Sequence, residues 1–270
     1  MLKAKHGFSF AVAAVSFLLL VACGDDDSDF ATRPSEGSSS SVTPQSSDSE
    51  TSVSIGTMTD SRDGQTYKTV TIGTQTWMAE NLNYAYTGVP YKVYNYTSDS
   101  TSWCNKDDAN NCSKYGRLYT WAAAMDSVGT WSTNGKGCGY KKTCSPTYPV
   151  RGVCPEGWHL PGMGEFAALI RAVGGIIRAG GELKSTSGWN DDYEGRSGNG
   201  TDAYAFSALP AGLGDNGWYY DEGYNADFWS STEGSSNHAY IMELSNRSDE
   251  GYYEFSEFKY YGYSVRCIKD

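Results

Sequence analysis

The chain has 270 residues and a formal net charge of −11, from 21 basic and 32 acidic side chains, with a hydrophobic content of 39%. That length accommodates one or two domains; with no Lys/Arg-dense stripe, the acid excess repels phosphate backbones and argues against nucleic acid as a partner. Aromatic residues at 14% and 31 Gly point to a loop-rich fold in which rings serve both core and surface.

Lys3, Lys5 and His6 precede an apolar run from Phe8 to Ala22. It is shorter than the roughly 20 residues a membrane-spanning helix needs and has the layout of an export signal. The run ends in Leu20-Val21-Ala22-Cys23-Gly24, which resembles the lipobox of bacterial lipoproteins. That resemblance implies cleavage after residue 22, lipidation of Cys23 with palmitate among the acyl groups, and a lipid anchor in the outer membrane. Residues 23–56 carry Asp25, Asp26, Asp27 and Asp29 and then a Ser-rich run from Pro34 to Ser54. So few apolar groups cannot offset the entropy of ordering, and the segment reads as a disordered tether. Its acidic run also resembles the surface-export signals of some Gram-negative lipoproteins, so the globule, residues 57–270, is expected at the cell surface.

Within the globule, Thr66 to Ile72 and Gln75 to Ala79 are β-rich runs around Gly73-Thr74, a hairpin with which the domain is expected to open. Helices are predicted over Leu118 to Asp126 and Met163 to Val173. The second places Phe166, Leu169, Ile170 and Val173 on one face, with Gly162 at the N-cap and Glu165 three residues on, half of a capping box. Short strands are predicted over Ala203–Leu209, Asp227–Ser230, Ala239–Leu244, Tyr252–Phe258 and Tyr263–Ile268, separated by Gly, Asn and Asp clusters. The fold class is therefore α+β, with short antiparallel strands, two helices and long loops.

Seven Cys is an odd count for an exported protein, and lipidation of Cys23 accounts for it. The other six allow roughly 15 pairings. Two pairs are sequence neighbours in turn-rich loops, so the proposed bridges are Cys104–Cys112, Cys138–Cys144 and Cys154–Cys267. No C-x-x-C or H-x-x-x-H spacing occurs, and His159 and His238 are the only His after Ala22; no metal and no cofactor is expected.

Gly162-x-Gly164-x-x-Ala167 matches a dinucleotide fingerprint on paper, but Pro161 breaks any preceding strand and no βαβ rhythm surrounds it. Asn190-x-Asp192-x-Glu194-Gly195 resembles the start of an EF-hand loop, yet Thr201 stands where the bidentate Glu belongs. No nucleophile or general-base motif occurs, so no catalytic residue is assigned. Two loops combine rings, acids, amides and glycines, Trp189–Asp202 and Gly214–Asp227. Sugars stack their apolar faces on rings while carboxylates bind hydroxyls, and the candidate ligand-binding residues are Trp189, Asp191, Asp192, Tyr193, Asp215, Trp218, Tyr220, Asp221 and Tyr224. Asp191, Asp192 and Glu194, or Asp215, Asp221 and Glu222, could in principle form a glycosidase pair, although acids in Gly-rich loops are usually solvated. Trp229 is expected in the core.

Five stretches carry a family resemblance. They are Ile72-Gly73-Thr74-Gln75-Thr76-Trp77-Met78-Ala79-Glu80-Asn81-Leu82-Asn83-Tyr84, Tyr115-Gly116-Arg117-Leu118-Tyr119-Thr120-Trp121, Cys154-Pro155-Glu156-Gly157-Trp158-His159-Leu160-Pro161, Phe228-Trp229-Ser230-Ser231-Thr232-Glu233 and Tyr263-Ser264-Val265-Arg266-Cys267. In this order they resemble the Fibrobacter succinogenes major paralogous domain over Asp60 to Asp270, with Gly162 and Gly164 where a Thr or Ser cap is more usual. The resemblance implies a C-type lectin-like fold, in which a helix follows the first long-range Cys and the final strand carries its partner; this independently favours Cys154–Cys267. The calcium and sugar motifs of C-type lectins, Glu-Pro-Asn and Trp-Asn-Asp, are not matched, the nearest stretch being Trp229-Ser230-Ser231. Formylglycine-generating oxidases on the same fold use free thiols and copper, whereas six pairable Cys leave no reactive thiol. The expected function is that of a non-enzymatic, surface-tethered recognition lipoprotein for polysaccharide or cell-surface glycan. A protein-binding or structural surface module is the alternative, followed by a hydrolase or oxidase.

Overall fold

The computed structural model describes residues 53–93 and 96–270, and side chains other than those of 88–100. The expected signal peptide, Cys23 and nearly all of the tether lie outside the described residues. Strand β1 (Ser54–Thr59) pairs antiparallel with β2 (Thr66–Ile72), which pairs with β3 (Gln75–Met78). The β2–β3 hairpin turns at Gly73, whose φ of +61° favours glycine. It does not open the domain, because β1 precedes it and takes in Ser54 to Gly56 from the end of the expected tether. Mostly exposed along its length, β1 is held by ladder hydrogen bonds rather than by burial.

A hairpin follows, β4 (Thr87–Val93) with β5 (Tyr96–Ser100), then β6 (Ser102–Trp103) and helix α1 (Ala109–Tyr115), capped by Asp108 Oδ1 accepting from the Asn110 N–H. The helix expected over Leu118 to Asp126 is shorter. Leu118–Tyr119 form β7 against β6, and Thr120 caps α2 (Trp121–Ala124), its Oγ1 accepting from the Ala123 N–H. After a long loop come β8 (Trp158–His159) and α3 (Met163–Ala172). The Gly162 N–H donates to Glu165 Oε2 at 2.7 Å, as the half capping box predicts. A further helix, α4 (Ile176–Leu183), was not expected from its Gly-containing sequence.

The second half holds β9 (Leu213–Asp215) paired with β10 (Trp218–Tyr220), and a three-stranded antiparallel sheet of β11 (Asn225–Glu233), β12 (His238–Ser245) and β13 (Gly251–Phe258). Strand β14 (Ile268–Lys269) returns between β3 and β8, giving the order β1-β2-β3-β14-β8. The strand expected over Ala203–Leu209 does not form, because Asp202, Ala205 and Ser207 all take positive φ; only Ala208 makes a bridge, to Lys184. Of Tyr263–Ile268 only Ile268 lies in a regular strand; the rest is extended chain bridging several elements. Three disulfides are present, Cys104–Cys112, Cys138–Cys144 and Cys154–Cys267, the last joining residues 113 apart. In the chain-entropy model a loop of that length is worth about 4.7 kcal/mol.

The core has two main clusters. One gathers Trp121, Trp158, Trp229, Tyr119 and Tyr263 around Cys154–Cys267; the other packs α3 and α4 on Trp77, Phe206 and Phe228. Trp229 is 0% exposed, its Nε1 donates to the Tyr119 carbonyl at 2.7 Å, and its ring meets Tyr263 edge-on. Trp229→Ala is expected to destabilise the domain by about 3–5 kcal/mol, the cost of emptying an aromatic core site, as read by chemical denaturation.

Candidate functional site

The two loops singled out in the sequence meet each other. The Asn190 N–H donates to the Gly223 carbonyl at 2.8 Å. Gly223 has φ +85°, and a Cβ there would lie 2.4 Å from Asn190 Nδ2, so the contact requires glycine. Asn246, after β12, holds both loops: its N–H donates to the Tyr224 carbonyl, and its Nδ2 to the carbonyls of Asn190 and Asp191 at 3.2 and 3.0 Å.

Most of the first loop serves its own structure. Trp189, expected on the binding surface, is a core residue instead: it is 5% exposed, and its Nε1 donates to Ser185 Oγ and the Ala208 carbonyl. Asp192 folds the loop, its Oδ1 accepting from the N–H groups of Glu194 and Arg196 and its Oδ2 from Arg196 Nε. Hydrogen bonds from Arg196 hold its carboxyl below the usual range. Tyr193 is 82% exposed and lies against the Arg247 guanidinium, 4.2 Å from the ring centre. Asp191 is exposed.

The second loop builds a concave surface. Asn216 and Gly217 both take positive φ, 52° and 82°, the requirement of a tight two-residue hairpin turn. The turn carries β10 outward and places Trp218, 69% exposed, and Tyr220 on the same strand face. Tyr224, beyond β10, is also exposed. Trp218 borders a small pocket with Trp103 and Asp107. Tyr220 instead walls an open cleft of about 360 Å³ together with Leu213, Tyr261 and Tyr263, which Asp215, Asp221 and Glu257 also line. Of the expected site residues, the structure thus brings Asp215, Tyr220 and Asp221 into one cleft. Trp218 adjoins them on β10, while Asp191, Asp192 and Tyr193 belong to the neighbouring loop.

Two further acidic residues lie in the β11–β12 pair, outside the residues that line the cleft. Asp227 of β11 stands directly opposite Glu243 of β12, where like charges are destabilising. By strand alternation both share the face of Trp229, whose ring packs on the cleft wall Tyr263. Asp227 is 2% exposed, and its Oδ1 has no hydrogen-bond partner among the described residues. Burial, and after it the charges of Glu243, Asp221 and Glu257, push its pKa well above the ordinary carboxylate range. Glu243 is raised by burial and by Glu257 and Asp221; Glu257 and Asp215 are raised by burial. None of these acids forms an ion pair among the described residues, whose ion pairs lie elsewhere.

Asp227, Glu243 and Glu257 were not among the residues expected to carry function. The signal available was an acid within each of three strand-forming runs, but only the register reveals that all three lie on one face. A second cluster, His159 between Asp270 Oδ1 at 2.7 Å and Glu165 Oε1 at 2.8 Å, occupies both ring nitrogens. Burial works against the charged ring, but the two carboxylates outweigh it and hold its pKa up. Each partner is supplied by a segment packed beside β8, so the cluster joins α3 and the C-terminus to the five-stranded sheet.

Short antiparallel strands, few helices and three disulfides define a bridged α+β domain. The chain belongs to the Fibrobacter succinogenes major domain family, whose model matches residues 70–269. No curated protein and no solved structure matches it.

An acid with a raised folded-state pKa binds more protons folded than unfolded, so its contribution to stability falls as pH climbs above its unfolded value of about 4. Asp227→Asn removes the buried charge. The variant is expected to melt about 2–4 °C higher than the parent at neutral pH, equivalent to roughly 1 kcal/mol, and together with it near about pH 3, below the unfolded carboxylate range. Melting curves across pH check this; a variant that melts lower at neutral pH contradicts the reading of Asp227 as an uncompensated buried charge.

Proposed function

We propose that the chain is a surface-tethered, non-enzymatic recognition lipoprotein that binds polysaccharide or cell-surface glycan, on a scaffold of C-type lectin-like type. The observation that carries the reading is the pairing of Trp218 and Tyr220 on one face of β10, with Tyr220 also walling the acid-lined cleft. Rings aligned beside carboxylates match a saccharide's two chemistries, apolar ring faces and hydroxyl edges. The lectin-like assignment draws on the order of α3 after Cys154 and the closure of Cys154 onto the last extended segment at Cys267. The outer-membrane location rests on Leu20-Val21-Ala22-Cys23-Gly24.

A hydrolase reading is favoured by one observation, the carboxylates with raised pKa in a cleft, since an acid kept protonated beside an ionised partner is the pattern of glycoside cleavage. A glycan array probed with the full chain tests recognition directly, and release of reducing ends from whichever glycan binds would replace recognition by hydrolysis. Trp218→Ala is expected to weaken glycan binding by roughly 1–3 kcal/mol, a magnitude borrowed from base stacking on aromatic side chains, with melting unchanged. Normal binding by that variant removes β10 from the site. Cys23→Ser is expected to release the chain from the membrane fraction; continued retention contradicts the lipid anchor.

A further inference from the structure

Arg117 lies in one of the five stretches that carry the family resemblance, and among the described residues no acid pairs with it. All three of its guanidinium nitrogens donate to neutral atoms. Nε donates to Ser102 Oγ at 3.1 Å and Nη2 to the Ser102 carbonyl at 2.9 Å. Nη1 lies 3.5 Å from Cys112 Sγ and 3.8 Å from Cys104 Sγ, the two sulfurs of one bridge. The guanidinium is held there from both sides. The Arg117 N–H donates to the Leu82 carbonyl at 3.0 Å, and Ser102 is itself buried and exchanges hydrogen bonds with the Tyr86 backbone. Gly116, at φ +72°, lets the chain pass Asn81, whose Cβ would lie 2.8 Å from a Cβ at that position.

A closed bridge gives such a cation little, because neutral sulfur is a weak acceptor. An opened bridge gives it a counter-ion, since a neighbouring Arg stabilises a thiolate. The other two bridges differ. Cys154 and Cys267 are both fully buried, and at Cys138–Cys144 the Glu233 carboxylate accepts from the Cys144 N–H at 3.2 Å. Among the described residues no donor reaches the sulfurs of either. Cys104 and Cys112 are only 8 residues apart, so their bridge stabilises the fold less than the one that closes 113. Their loop has other fastenings: Asn105 Nδ2 donates to the Ala211 carbonyl at 2.7 Å, and Asn111 Nδ2 to the Asn105 carbonyl at 3.0 Å. Opening this bridge is therefore a local event.

We infer that Cys104–Cys112 is a site of thiol–disulfide exchange with a dithiol, Cys104 being the sulfur attacked and Cys112 the thiolate that Arg117 receives. A thiolate of the dithiol attacks Cys104 Sγ. A bond forms between the two sulfurs, the bond between Cys104 and Cys112 breaks, and its electron pair leaves on Cys112 beside Arg117 Nη1. The second thiol of the reductant loses its proton to water and attacks the reductant sulfur of the mixed disulfide; Cys104 leaves as a thiolate and takes a proton from water. Two electrons pass from the dithiol to the bridge, and the reductant departs as a disulfide. Exposure and distance set the direction, since Cys104 is half-buried whereas Cys112 is 7% exposed and is the sulfur nearer Nη1. A stabilised leaving thiolate speeds the exchange, and a stabilised reduced form makes the bridge the more oxidising. The inference is independent of the glycan-binding reading.

The test treats the folded full chain with dithiothreitol, blocks the thiols as they appear and maps them by peptide. Cys104–Cys112 is expected to open at least about tenfold faster than Cys138–Cys144, with Cys154–Cys267 intact. Equal rates for the first two overturn the inference without any variant. Arg117→Met is expected to slow the opening of Cys104–Cys112 about tenfold and to lower its reduction potential by about 30 mV, the equivalent of tenfold for two electrons. Arg117→Lys is expected to restore most of both. A purely structural role for Arg117 gives the opposite sign, because a loosened loop exposes the bridge and speeds its reduction; an unchanged or faster rate in Arg117→Met overturns the inference. With glutathione, a monothiol, the mixed disulfide is expected on Cys104, and its appearance on Cys112 overturns the assignment of the leaving sulfur.

Discussion

The last nine residues set the constraint on which the rest of the domain depends, because one extended segment supplies hydrogen bonds to nearly every element around it. Gly262 exchanges bonds with Gly214 beside β10, and Tyr263 with Tyr119 of β7. The Ser264 N–H donates to the Asp227 carbonyl and its own carbonyl accepts from Trp229. The carbonyls of Val265 and Cys267 accept from Leu82 and Met78, and Ile268 pairs with Trp77 and His159. A chain that changes partner at almost every residue cannot form a long strand. It serves instead as the common edge of two sheets, and Cys154–Cys267 ties it to the loop before β8. The placement of the β9–β10 hairpin over the β11–β12–β13 sheet, and hence the cleft, follows from Gly262 and Ser264 binding one partner on each side.

Buried charge is handled in two ways. Arg266 is 1% exposed and its guanidinium is enclosed by Asn81 Oδ1 at 2.6 Å, backbone carbonyls and the ring of Phe206. Burial lowers its pKa to about 9, which still leaves it charged at neutral pH. Asp126 is likewise fully used, accepting from Tyr86 and from the N–H groups of Thr130, Trp131 and Ser132, and it thereby folds the loop after α2. Lys259 sits over the Trp121 ring with Glu233 and two carbonyls. In each case the low local dielectric strengthens a satisfied network. Asp227 is buried to the same degree, and its Oδ1 lacks such a network.

Much of the fold was legible because local signals and tertiary packing agreed. Phe166, Leu169 and Ile170 all face the core of α3, and Gly73 turns the β2–β3 hairpin as its position between two β-rich runs indicates. Pairing of sequence-near Cys left one long-range partner, and that bridge is present. The failures have specific causes. Leu118 and Tyr119 were drawn into a strand by β6, which no helix propensity records. Ala205 and Ser207 adopt positive φ because Asp202 folds that loop, accepting from Ser207 N and Oγ at 2.7 and 2.6 Å, which overrides their β-like composition. Trp189 looked like a loop ring and is a core ring, since a loop's composition does not say which side chains turn inward.

The acidic face of the β11–β12–β13 sheet was illegible for a different reason: it exists only through register. Asp227, Glu243 and Glu257 are separated in sequence by strands and turns, and a one-residue slip in either pairing would send one of them to the opposite face. The register that brings them together also aligns Trp229 with Ile241 and Phe228 with Met242, each pair entering a different core cluster. Core packing therefore fixes an electrostatic arrangement that is unfavourable in itself, and the aromatic core holds three like-charged groups on one face.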